Sequence, residues 1–266
     1  GSFVSNDFTA ETSMPDLGSG SVVEWVIVKS SPTRNETAVG ILDDDGDILL
    51  LARNNTYGTD SGWLDVAGIV TTNDAQRGFD IAYEHLSGDA MVVYEKDTTA
   101  DRTLYYRTWS IEANGSGRWS DEATITLNGD VAAEAQLWIS LKAKSNSDEI
   151  LLASEGASDD ISAARWNGTE WVNITTITTA ATSIDEKDFG LVWESLSGDG
   201  VLAHGTGSGT FIMWVFDALT TTWTNTATVT VGANPQDVTL CSDPTSDYIG
   251  AITQDNQADV NVFMWD

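Results

Sequence analysis

The run DDDGD, Asp43 to Asp47, is where the sequence packs its densest set of groups able to do chemistry. Carboxylates at alternate positions, Asp43, Asp45 and Asp47, offer several hard oxygens to one Ca²⁺ ion, the cation that such ligands suit. The loop is not an EF-hand. Its glycine falls fourth and its twelfth position is Asn54, so the sixth-position turn and the bidentate Glu are missing. A plain Asp-Gly hairpin accounts for the same residues without a metal. Asp43, Asp45 and Asp47 are the candidate metal ligands, and no other cofactor is expected.

Catalytic groups are sparse. His85 and His204 are the only near-neutral bases, and they do not occupy equivalent places in the repeats described below. No nucleophile elbow, zinc-binding His-Glu helix or phosphate-cradling glycine loop is present. Paired carboxylates can hydrolyse glycosides, and Asp80, Glu84, Glu194 and Asp237 fall in or beside the predicted innermost strands. A glycosidase needs its two acids in different environments. Glu84 and Glu194 instead sit at matching repeat positions and look like one structural feature used twice. No catalytic residue is assigned, and a glycoside hydrolase stays as the enzymatic alternative to a binding role.

The elements that must position these residues show themselves as a repeat. Trp63, Trp119, Trp171 and Trp223 recur 56, 52 and 52 residues apart, each opening a Thr-rich run. Glu36, Asp89, Asp148, Asp199 and Asp247 each stand between two apolar runs: "WVIV", "FDIAY", "LWISL", "FGLVW" and "VTLC" before them, and runs such as "TAVGIL" and "EILLA" after them. Four short strands in about 50 residues make one propeller blade. The expected fold is therefore all-β, a single five-bladed propeller of four-stranded blades, with blades at about 22–74, 75–130, 131–180, 181–233 and 234–266 plus 1–13. The last unit stops after three strands. Phe3 in "FVSNDFTAET" corresponds to Trp171 in "WVNITTITTA", so the N-terminal strand is expected to close the ring, which removes exposed edges. Two β-sandwich domains dividing near "NGDVAAEA" are the competing fold, and the single period counts against them.

Within "ARWNGTEWVN", residues 163–172, the Asn-Gly pair predicts a two-residue hairpin turn with both central residues at positive φ. Its two tryptophans are expected to pack between blades.

Net charge is −29, with 41 acidic residues against 12 basic ones, which excludes a general nucleic-acid binder and disfavours anionic membranes. No apolar stretch is long enough for membrane insertion. One cysteine, Cys241, allows no internal disulfide, and its apolar run predicts burial. With the low Lys content, these features point to an extracellular or cell-surface setting. Loops between second and third strands share a face with the inter-blade connections, so that face should be strongly negative and the likelier contact surface.

The aromatic hairpins of the "ARWNGTEWVN" kind resemble those of secreted bacterial β-propeller repeat proteins, and the five-blade count is similar to tachylectin-like lectins. The resemblance covers residues 3–266. It implies a surface or secreted recognition module, with carbohydrate as a candidate ligand. The loops "DDDG", "KDTTADR", "EGASDD", "GTGSG" and "QDNQAD" share polarity but no common side-chain set, which favours one site or none over five equal ones. Two functions are thus expected: a non-catalytic recognition or adhesion module for a glycan or cell-surface protein, or a structural spacer within a larger surface protein.

Overall fold

The computed structural model describes residues 21–54, 59–66, 76–96, 101–111, 117–182 and 186–266. They form twenty strands in five antiparallel sheets. The first sheet holds β1 (Val23–Ser30), β2 (Glu36–Asp43), β3 (Ile48–Asn54) and β4 (Thr59–Val66). The second holds β5 (Phe79–Tyr83), β6 (Ala90–Glu95), β7 (Thr103–Ile111), β8 (Gly117–Trp119) and β9 (Ala123–Thr126). The third runs through β10 (Gln136–Ala143), β11 (Ile150–Gly156), β12 (Ile161–Trp166) and β13 (Trp171–Thr178), and the fourth through β14 (Phe189–Trp193), β15 (Gly200–Thr206), β16 (Thr210–Asp217) and β17 (Thr222–Thr230). The fifth consists of β18 (Pro235–Ser242), β19 (Ile249–Asp255) and β20 (Val260–Trp265).

Burial explains the composition of each strand. The innermost strands β5 and β14 are buried at every position, because sheets cover both of their faces, and their sequences "FDIAY" and "FGLVW" read as continuous apolar runs. The outermost β17 alternates between exposed and half-buried, so a Thr-rich sequence with high strand propensity suffices there. Sheets stack in chain order through these inner strands: β1 on β5, β5 on β10, β10 on β14, β14 on β18. Ile27, Phe79, Ile81 and Trp109 fill the first joint, and Met91, Val93, Ile139, Ile150 and Trp166 the second. Gly190 lets β14 approach β18, since a Cβ there would stand 2.7 Å from Leu240 Cγ.

Three sequence expectations need correction. The sheets are not uniformly four-stranded: the second has five strands, because β7 pairs with β8 and then with β9, and the fifth has three among the described residues. In the first, third and fourth sheets the third-to-fourth-strand pairing carries a bulge, and in the second sheet the partner strand breaks altogether at Ser120–Glu122. The Asn167-Gly168 turn is a four-residue loop between the paired Trp166 and Trp171. Gly168 has φ +96°, while Asn167 spends its side-chain oxygen accepting the amides of Thr169 and Glu170.

Cys241 is exposed, not buried. The apolar run containing it lies in the last sheet of the stack, where among the described residues only one face meets a neighbour. Val238 and Leu240 point into the joint with the fourth sheet, while Cys241, Ile252, Val260, Val262 and Met264 lie on the outer face, Met264 at 70 % exposure. At the other end of the series Val26 and Val28 of β1 are also exposed. Among the described residues the stack is thus not closed. The strand expected to close it, residues 1–13, lies outside the described residues.

Candidate functional site

A groove of about 650 Å³ lies between the second and third sheets. Two aromatic side chains, Tyr106 and Trp166, line it. Tyr106, from β7, meets Trp166 edge-on at 5.8 Å and Trp171 at 6.2 Å, and Trp166 and Trp171 lean on each other at 5.7 Å as a cross-strand pair. The rim is polar: Glu84, Asp89, Thr108, Arg118, Ser120, Asp121, Glu122 and Thr169 line it. The break between β8 and β9 puts Ser120, Asp121 and Glu122 there, where an unbroken strand would keep pairing with β7.

The rim carboxylates are held by neighbours. Burial works against the charge of Glu122, but hydrogen bonds from Lys96 and Tyr94 and the Lys96 and Arg107 charges outweigh it and keep its carboxyl below the usual range. Glu84 is shifted upward, by burial first, although Ser87 and the Trp166 indole donate to it. Burial also raises the Tyr106 phenol. Aromatic faces beside fixed donors and acceptors are the surface on which a pyranose ring stacks its C–H face and satisfies its hydroxyls, and the volume lies within the range of small-molecule sites.

Glu84 and Glu194 do the same structural work at two joints. Each accepts the indole N–H of a tryptophan from the following sheet, Trp166 and Trp265, and the hydroxyl of a serine three residues on, Ser87 and Ser197. Asp148 and Asp247 complete the pattern by accepting two amides each from the preceding sheet's turn, Leu86 with Ser87 and Leu196 with Ser197. Glu84 reaches the groove, whereas Glu194 lines a separate pocket with Trp193 and Lys144. Asp80 lies in β5 and accepts the amides of Ile81 and Leu141; Asp237 is exposed at the β18 bulge, with φ +35°. These four acids are not gathered into one site. His204 is buried in β15 with Nδ1 2.8 Å from the Gly205 carbonyl, and burial pulls its pKa down.

At the candidate Ca²⁺ loop, Asp43 Oδ1 accepts the amides of Asp45 and Asp47 and so caps its own turn. The other oxygen, Oδ2, is buried without a hydrogen-bond partner, and burial raises the Asp43 pKa against the pull of those amides. Asp45 accepts the Ser21 hydroxyl. Among the described residues, no set of three or more His, Cys, Asp or Glu is grouped so as to hold a metal ion. Asp255 forms the same kind of turn, accepting from Gln257 and Asp259, and Asp217 from Leu219 and Thr220. Much of the acidic character of the loops therefore serves their own backbones.

No protein-family model and no curated protein matches the sequence. Solved structures do match. The BP39L lectin from Burkholderia pseudomallei superposes with a TM-score of 0.64 at 13% identity, covering 90% of this chain and 66% of that one. The SapL1 lectin, solved with alpha methyl fucoside, gives 0.54 at 11% identity over 93% of this chain and 77% of that one. The fungal lectin of Aleuria aurantia, a six-bladed β-propeller with a described fucose recognition mode, gives 0.53 at 9% identity over 92% and 75%. The architecture is similar to the β-propeller of these structures. At these identities the likeness is one of fold.

The groove's decisive residues, Tyr106, Arg118 and Ser120–Glu122, were not singled out by the sequence. One signal was available: "SDE" follows Trp119 where "VNI" follows Trp171, an acidic interruption at the place where the first, third and fourth sheets continue their strands.

Proposed function

We propose that the protein is a non-catalytic carbohydrate-recognition module that takes a glycan in the groove between the second and third sheets and works outside the cell or at its surface. The observation that carries this reading is the 650 Å³ groove with Tyr106 and Trp166 on its floor and Arg118, Asp121 and Glu122 on its rim. The fold shared with lectins whose structures concern fucose makes fucosylated glycans the first probes. Glu84 and Glu122 are occupied in holding neighbouring side chains, which supports binding over hydrolysis. A ring of five sheets closed by residues 1–13 along the free edge of β20 belongs to the same reading, supported by the five-sheet series and the edge position of that strand. So does a Ca²⁺ ion at Asp43, Asp45 and Asp47, supported by the orphaned Asp43 oxygen.

The test is a glycan array probed with the wild-type protein and Tyr106→Ala, with Ca²⁺ and again after chelation. Selective binding by the wild type, weakened about tenfold by loss of the ring, is expected, since an aromatic contact of this kind is worth roughly 0.5–1.5 kcal/mol beyond its area. Loss of binding on chelation would tie the acidic loop to it. Equal binding by both proteins would remove the groove from the account. No binding under any condition would favour the spacer or protein-adhesion role, for which the exposed apolar face of the fifth sheet is the supporting observation.

A further inference from the structure

A second cavity, of about 190 Å³, lies on the axis around which the sheets stack, lined by residues on or just before all five innermost strands. Its charge is opposite to that of the molecule. Lys29, Arg77, Lys142 and Lys187 all line it, four of the twelve basic residues in a chain of net charge −29. Of the acids, Asp80 lines the cavity, and Asp237 and Glu155 act on Lys187 from beside it. Asp80 already accepts two backbone amides and stands 3.7 Å from Arg77.

The strands build this cavity by simple alternation. Along β1 the inward positions are Trp25, Ile27 and Lys29, and along β10 they are Trp138, Ser140 and Lys142. Trp25 and Trp138 meet edge-on at 5.7 Å, and the two strands then present their lysines to the same space. Lys29 and Lys142 also line an adjoining pocket of about 220 Å³ with Ser30, Tyr83 and His85.

Lys187 and Arg77 donate to protein acceptors, and among the described residues Lys29 and Lys142 do not. Lys187 donates to the carbonyls of Phe189 and Val238, latching β14 to β18, and one Arg77 nitrogen donates to the Ile139 carbonyl at 3.0 Å. Arg77 Nε is buried with no partner. The Lys29 and Lys142 ammonium groups are given no acceptor by any described residue. Burial first lowers the pKa of Lys142, with the Lys29 and Arg77 charges adding to it against the opposing pull of Asp80, and burial followed by the Arg77 and Lys142 charges brings Lys187 to about 8. An arrangement in which like charges strain one another in a shared cavity is relieved by an anion.

We propose that this axial cavity binds a small divalent oxyanion, phosphate or sulfate, either free or as the ester group of a larger molecule, held by Lys29, Lys142 and Arg77. The volume admits an ion of a few heavy atoms with water and not a whole oligosaccharide, given about 30 Å³ for each water displaced. This site is separate from the groove, so its fate does not depend on glycan recognition there.

The test measures thermal shift and titration calorimetry on the intact protein with sodium phosphate, sodium sulfate and sodium chloride at matched ionic strength, then with galactose 6-sulfate and galactose. Phosphate or sulfate is expected to raise the melting temperature above chloride. Lys142→Met, which keeps the apolar stem, should weaken that binding about tenfold while leaving or raising the melting temperature without the anion, because a repulsion is removed. Lys29→Met provides the same readout should Lys142→Met not fold. Binding of the inorganic ions alone assigns a free oxyanion, and binding of galactose 6-sulfate but not galactose assigns an ester. A shift equal to that in chloride, or an undiminished shift in both variants, would overturn the proposal in favour of solvation by water.

Discussion

Trp166→Ala is expected to lower the melting temperature by about 10 °C. The indole is 7% exposed and fills the joint between the second and third sheets, against Tyr106 and Trp171, in one cluster with Met91, Val93 and Ile150. Truncating a buried aromatic to Ala costs roughly 3–5 kcal/mol. In a domain of this size each kcal/mol shifts the midpoint by about 2–4 °C. The change also strips Glu84 of the indole N–H that it accepts, leaving a buried carboxylate with Ser87 as its remaining side-chain donor. Trp166→Phe separates the two effects: most of the apolar area stays, the N–H goes, and a loss of about 1–2 kcal/mol is expected. Thermal unfolding followed by near-ultraviolet circular dichroism measures both. An unchanged midpoint for the Ala variant would mean that the tryptophan serves the groove and not the joint.

Glu155→Gln is expected to stabilise the protein increasingly as the pH rises. Glu155, on β11, is fully buried, and neither of its oxygens receives a hydrogen bond. Burial first and the carboxylate of Asp188, across the joint with the fourth sheet, second push its pKa from 4.5 to about 11. The folded chain therefore keeps a proton that the unfolded chain releases above about pH 4.5. Stability that this neutral acid contributes is fully present below that pH and is lost as the pH climbs toward 11. The slope is about 1.4 kcal/mol per pH unit for one proton. Gln has no proton to lose and can still donate to Asp188. The two proteins should melt together near pH 5, and the variant should gain roughly 3–6 °C over the wild type for each further pH unit up to 8. His204 and the other buried acids cancel in the comparison. Parallel curves would show that Glu155 is ionised in the folded state.

The repeat was the most legible feature of the sequence. Apolar runs followed by an acidic turn marked the first two strands of each sheet, because an inner strand covered on both faces must be apolar throughout, as "FDIAY" and "FGLVW" are. The pairing of Glu84 with Glu194 was visible for the same reason, since the joint between sheets recurs and its side chains recur with it. Residues whose meaning depends on what a neighbouring sheet brings were harder to read. Tyr106 looks like any strand tyrosine until Trp166 arrives from the next sheet. Lys29, Arg77, Lys142 and Lys187 each stand alone in their segments, and only the convergence of the inner strands makes them a cluster. Cys241 misled because an apolar run implies two covered faces, and among the described residues the last sheet has one. The Asn167-Gly168 pair misled because the Asn side chain captured the amides that a two-residue turn would have left to the backbone.

The most direct test of the central claim is a crystal structure of the protein with the glycan that binds best on the array. Glycan density stacked on Tyr106 in the groove between the second and third sheets, with hydroxyls in reach of Arg118, Asp121 or Glu122, is the result expected. Density at any other place on the molecule would contradict it.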